Sequence, residues 1–316
     1  MDPIRRRVVR SIAAGGSWVG ITAVSGFMGG LTGTVGERTL NTIFKDKDVP
    51  NAEKGAIDFL CGEDSGVPSI YAGEGNLLRS DTGSGAISSY LTFAASTFSS
   101  YLGKALELTS HYSEDNSSDA FVYDRRRSSI FLGGPAANRV TCDLLGYKHI
   151  SVPKDATTIP MPVVDRGNRR TRWGQVYGET AYGVFGGKLE IATRYSSTSG
   201  KAVQRPLYKI LDKATGEMLA PTVKDGWLLS EWLTVARLRE GTTFKVVIGG
   251  MHGYSTEAFC RNITASIENL ERVVGSAQQY QVIIPVSLDH RRDLTGRAYT
   301  HGELDWRNAR FQKIEG

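Results

Sequence analysis

Two glycine pairs sit where an apolar run gives way to a helical pattern, and each is followed by side chains able to hold an anion. The first lies in FLGGPAANR, residues 131–139, which carries Gly133, Gly134, Asn138 and Arg139. The second lies in VIGGMHGYSTE, residues 247–257, which carries Gly249, Gly250, His252, Gly253, Ser255, Thr256 and Glu257. A glycine turn at a helix start presents unpaired backbone N–H groups, and the helix dipole adds partial positive charge there. Both favour phosphate. Asn138 suits a base or a ribose, and Arg139 suits a phosphate. Ser255 and Thr256 suit a phosphate oxygen, or cap the helix with no ligand at all. Glycines also occur at such turns for geometry alone. Taken as a pair, the loops predict a nucleotide-like or other anionic ligand between them.

A carboxylate beside a histidine suggests a second chemistry, general acid–base catalysis of glycosidic cleavage or transfer on a nucleotide. Glu257, His252 and Glu179 are the candidate catalytic groups. The competing reading makes Glu257 a surface residue favoured by the helix dipole and His252 an exposed turn residue. The chain has no G-x-S-x-G, H-E-x-x-H or H-x-E…C-x-x-C pattern, and no G-x-G-x-x-G or G-x-x-x-x-G-K-[ST]. These absences disfavour an ordinary dinucleotide fold or P-loop ATPase and the catalytic sites the other patterns build.

The order Gly249-Gly250, Gly253, Glu257 in GGMHGYSTEAF resembles the glycine–glutamate turn of SLOG-type Rossmann-like domains. That superfamily includes nucleotide-processing enzymes and nucleotide sensors of bacterial conflict systems. The likeness is confined to this stretch, and its spacing departs by one position from Gly-Gly-x-Gly-Thr-x-x-Glu. FLGGPAANRVT stands where such domains keep their first glycine loop. The resemblance implies a nucleotide-like ligand near Gly133, Gly134, Asn138, Gly249, Gly250 and Gly253.

These loops need strands and helices to position them. Residues 129–132 read as a buried strand and 136–145 as a helix; 244–250 read as a strand running into a helix that ends near 274. A further apolar strand spans 279–290. Residues 205–219 read as a hairpin with its turn at Ala214-Thr215-Gly216, and 227–238 as a strand or a short helix. The alternation predicts an α/β fold, Rossmann-like, with a partly parallel sheet and an antiparallel section. Ligands of such sheets bind at the carboxyl ends of the strands. A mainly helical region precedes it. Ile87, Leu91, Ala94, Phe98, Leu102 and Leu106 recur at helical spacing, so a helix is expected over 85–109. Asp81–Gly85 is a third candidate anion loop, or the cap of that helix. The polar tract 111–120 reads as a domain boundary.

Residues 11–35 carry no charge and follow Arg5, Arg6, Arg7 and Arg10. The stretch is long enough to span a bilayer, and Gly16-xxx-Gly20, Gly26-xxx-Gly30 and Gly29-xxx-Gly33 let membrane helices approach closely. A soluble glycine-rich strand segment and a signal peptide are the alternatives. Three regions result: 1–36 for membrane association or self-assembly, 37–119 mainly helical, and 120–316 the α/β ligand-binding domain.

Charge is uneven. Residues 1–120 hold 10 Lys and Arg against 14 Asp and Glu, and 121–316 hold 28 against 19. A basic half suits an anionic partner. Arg166, Arg169, Arg170 and Arg172, near Trp173 and Tyr177, form a basic-aromatic patch. No recognised nucleic-acid module surrounds it, so nucleic acid is not the expected partner. Cys61, Cys142 and Cys260 are far apart and odd in number, which disfavours a disulfide framework or a structural zinc site. The expected protein is a cytoplasmic homo-oligomer with a nucleotide-like ligand and no resident metal or cofactor, membrane-associated if residues 11–35 insert.

Overall fold

A computed structural model describes residues 51–62, 68–73, 97, 101, 106–109, 123–135, 139–148, 163–176, 182–185, 188–191, 208–292 and 298–315. Residues 11–35, the 81–85 loop, Asn138 and Glu179 lie outside the described residues, as does the side chain of Arg139.

The elements, in chain order, begin with helix α1 (Asn51–Cys61), strands β1 (Ser69–Gly73), β2 (Leu106–Thr109) and β3 (Ser129–Leu132), and helix α2 (Arg139–Leu145). Short strands follow: β4 (Tyr147–Lys148), β5 (Val163–Val164), β6 (Trp173–Val176), β7 (Tyr182–Phe185), β8 (Lys188–Ile191), β9 (Lys209–Asp212), β10 (Met218–Leu219) and β11 (Thr222–Lys224). Then come the long strand β12 (Trp227–Glu240), β13 (Thr243–Gly250), helices α3 (Gly253–Arg261) and α4 (Ile263–Val274), and strands β14 (Tyr280–Arg292), β15 (Ala298–Leu304) and β16 (Arg310–Lys313).

The main sheet is mixed, as an α/β reading requires. Its central order is β15-β14-β12-β13-β3-β1-β2. β13, β3, β1 and β2 run parallel, and β12, β14 and β15 are antiparallel to their neighbours. The ambiguous stretch 227–238 is strand, because β12 bonds to β13 on one side and β14 on the other. The hairpin β9–β10 joins β6 in a separate three-stranded sheet.

Both faces of the main sheet are covered. Along α4, Ile263, Ile267, Leu270 and Val274 fall on one face and are buried, with Leu233, Val235, Val246 and Ile248 among their core partners. Ala56, Ile57 and Leu60 of α1 join that core. On the other face Val140, Leu144 and Leu145 of α2 cluster with Phe131, Ala236, Leu238 and Val247. Each such apolar side chain contributes about 1.5–3 kcal/mol on burial.

Two expectations need correction. Leu106–Thr109 is a strand and not the last turn of a helix, though Thr97 and Tyr101 are helical. Parallel pairing with β1 overrides the helical period there. The tract 111–120 lies outside the described residues; β2 and β3, before and after it, belong to one sheet, and α1 and β1 share a core with later strands. The helix after β13 is two helices, broken at Asn262, whose φ of −116° and ψ of 46° are not helical.

The parallel pair β3–β13 sets the two glycine loops side by side. Ile248 is in register with Leu132, so Gly249 and Gly133 sit side by side just past the last β3–β13 pair. The Gly133 N–H donates to the Ile248 carbonyl at 2.9 Å. A Cβ on Gly249 would lie 2.6 Å from the Gly133 carbonyl carbon and 2.6 Å from the Gly134 nitrogen. These glycines are needed so that one backbone can touch the other. Gly249→Ala is therefore expected to cost about 1–3 kcal/mol by overpacking. Urea denaturation measures it; an unchanged midpoint would refute the contact.

Candidate functional site

At the carboxyl end of β13 the chain turns through Met251 and His252 into α3. His252 occupies the N-cap position, but its side chain does not cap. The cap comes from Glu231, on β12. One Glu231 oxygen, Oε1, accepts from the Ser255 N–H at 3.1 Å and from the Ser255 hydroxyl. The other, Oε2, bonds His252 Nδ1 at 2.5 Å. The Glu231 side chain is fully buried, and that of His252 is 12% exposed. Tyr208 stacks on the imidazole with ring centroids 5.2 Å apart. Thr256 turns its Oγ1 back to accept from the Gly250 N–H at 3.0 Å. So neither Ser255 nor Thr256 is the N-cap residue, and His252 is not an exposed turn residue.

This geometry answers what the second glycine loop does with its helix start. A fixed internal carboxylate occupies the position that a phosphate would take. Glu231 supplies the negative charge that the α3 dipole favours, and it uses the Ser255 N–H that a ligand would need. The same carboxylate holds the imidazole in a defined orientation. With Nδ1 directed at Glu231, Nε2 is left as the other ring nitrogen, and it is buried with no hydrogen-bond partner among the described residues. A carboxylate-oriented imidazole is a general base in form.

Glu257 does not join this group. It is 4% exposed and bonds Arg261 one turn along α3. Burial holds its carboxyl above the ordinary value of 4.5, and the Arg261 charge and hydrogen bond pull it back. The surface reading of Glu257 is thus corrected. Of the arginine patch, Arg172 forms a two-pronged pair with buried Asp212, with Nη2 to Oδ2 at 2.6 Å. Arg170 donates to the Arg239 carbonyl at 2.7 Å. Both are committed to holding the β9 turn and the end of β12.

The opposite end of the sheet holds a cavity of about 890 Å³, whose walls include Asp58, Phe59, Arg126, Arg237, Phe244 and Glu271. Arg237 is on β12 and only 4% exposed. It makes no ion pair or hydrogen bond among the described residues, and its Nε is buried and unpartnered. Its guanidinium lies 3.8 Å over the Phe244 ring. Tyr280, its register partner on β14, has a buried hydroxyl that is also unpartnered. Burial lowers the Arg237 pKa and raises that of Tyr280. Cys61, in the same wall, is pushed up to about 12 by burial and is an inert thiol.

Glu231 and Arg237 were not singled out from the sequence. Their signal was present: in EWLTVAR, residues 231–237, positions 231, 233, 235 and 237 share one strand face, and the middle two are Leu and Val. A charge in phase with a buried face is the mark of a functional or paired group.

Compared with protein-family models, with curated proteins and with solved structures, the chain matches none.

Two outcomes follow. Glu231→Ala strands two N–H groups and a hydroxyl inside the fold, and is expected to cost about 3–5 kcal/mol in chemical denaturation. Glu257 has a raised folded-state pKa, so the folded chain keeps that proton to higher pH than the unfolded chain. Its contribution to stability is lost as pH rises upward from 4.5. Wild type should therefore lose ground to Glu257→Gln between pH 4.5 and neutrality; a pH-independent difference would refute it.

Proposed function

We propose that this chain is a ligand-responsive signalling protein whose α/β body binds a nucleotide-derived or other anionic small molecule. The observation that carries this is the guanidinium of Arg237 beside the cavity, which has no counter-charge among the described residues. A buried cation without a counter-charge costs several kcal/mol, whereas stacking on Phe244 returns about 2 kcal/mol. An anion in the cavity removes that imbalance. The volume falls in the range of small-molecule sites. The site thus moves from the glycine loops, where Glu231 already supplies the charge, to the other end of β12. The Rossmann-like reading of the sheet and a role in bacterial defence, suggested by the SLOG-like turn, belong to the same proposal. So does control of residues 1–36 as a membrane or self-assembly segment. Among the described residues no helix is long and apolar enough to cross a membrane, and residues 11–35 lie outside them.

A second reading, a nucleotide-processing enzyme, is favoured by the Glu231–His252 pair with its unpartnered Nε2. In that reading His252 is the base and Glu231, not Glu257, is the positioning residue.

Arg237→Met separates these readings. Without ligand the variant is expected to be more stable than wild type by about 1 kcal/mol or more, because a buried unpaired charge is replaced by an apolar chain of similar length. It should also lose the thermal shift that wild type shows with a panel of nucleotides and inorganic phosphate. A destabilised variant that keeps its ligand response would sink the cavity reading. Turnover abolished by His252→Ala and untouched by Arg237→Met would favour the enzyme.

A further inference from the structure

The cavity holds unpaired charge of both signs. Arg237 lines it and is only 4% exposed, and its Nε has no hydrogen-bond partner among the described residues. The helix walls carry the opposite sign. Asp58 on α1 and Glu271 on α4 both line the cavity, and neither carboxylate has a hydrogen bond or ion pair among the described residues. A simple oxyanion satisfies Arg237, with Arg126 and Arg239 also in the lining, but it offers no donor to the two carboxylates. A molecule with an oxyanion at one end and N–H donors at the other satisfies both ends.

Resting on the cavity reading, we propose that the ligand is bipolar, of the nucleoside monophosphate class. Its phosphate is held by Arg237, and the N–H groups of its base are received by Asp58. Such a ligand bridges β12 and α1. The bridge adds to the ties that hold α1 to the sheet. The Ser128 hydroxyl donates to the Cys61 carbonyl at 3.0 Å and accepts from the Phe244 N–H at 3.1 Å. Gly62, with φ of +92°, ends the helix directly over the Phe244 ring. Occupancy therefore clamps α1, and α1 is the element that residues 1–50 lead into.

The test uses the full chain and isothermal titration with the four common nucleoside monophosphates, their nucleosides and inorganic phosphate. At least one monophosphate should bind about tenfold or more tightly than both inorganic phosphate and its own nucleoside. Asp58→Ala should weaken that monophosphate by about tenfold while leaving phosphate within about twofold. Hydrogen exchange over residues 51–61 should slow with the monophosphate and not with phosphate. The inference is overturned if inorganic phosphate binds as tightly as every monophosphate, or if Asp58→Ala changes neither affinity nor exchange. Loss of binding in Arg237→Met with indifference to Asp58→Ala overturns the bipolar ligand alone. Indifference to both substitutions, or no binding by any probe, overturns the cavity reading with it.

Discussion

A charge on the buried face of a strand has to be compensated where it stands, and β12 carries two. Glu231 and Arg237 share a core face with Leu233 and Val235, one charge toward each end of that buried segment. They are too far apart along the strand to neutralise each other: six residues at about 3.3 Å each. Each must find its own solution. Glu231 finds it in the chain, with two donors from Ser255 and the imidazole of His252. Arg237 finds only the face of a phenyl ring. The position of α3 depends on the first solution, and the cavity between α1 and the sheet is defined by the incompleteness of the second.

The same reasoning reverses the apparent roles of the two ends of the sheet. The carboxyl ends of the parallel strands, with their glycine turns, have the form of an anion site. Their glycines are accounted for by contact with each other, since Gly249 and Gly133 leave no room for a Cβ between them. The helix start is accounted for by Glu231. What remains open at that end is one nitrogen of His252, a group suited to moving protons. At the other end, no glycine motif marks the cavity, yet it has the uncompensated cation. A motif describes what a backbone is able to present; the residues around it decide whether that capacity is already used.

Charge balance also explains why the basic composition of the later half was a poor guide. Arg172 is consumed by buried Asp212, Arg261 by Glu257, and Lys245 by the carbonyls of Arg125 and Arg127. Clustering in sequence made the arginines at 166–172 conspicuous. Arg237, with no basic neighbour closer than Arg239, was not conspicuous, and its significance appears only when its surroundings are known.

Much of the fold was legible in the chain. The strand–glycine–helix order at 129–145 and 244–274, the strand at 279–290 and the turn near Gly216 are local patterns, set by side-chain period and by turn chemistry. The neighbouring glycine loops were legible as a pair, though not their contact. Strand partners were not legible, because pairing joins residues far apart in sequence. That is why Leu106–Thr109 read as helix until β1 claimed it as a strand. Burial was not legible for single charged residues either. By itself the sequence determined the strand–glycine–helix stretches at 129–145 and 244–274 and the turn near Gly216, because those depend on neighbours in the chain. Only the tertiary structure decided that Glu231 serves His252 and Ser255 and that Arg237 is left unpaired, because compensation of a buried charge depends on whatever strand or helix is folded against it.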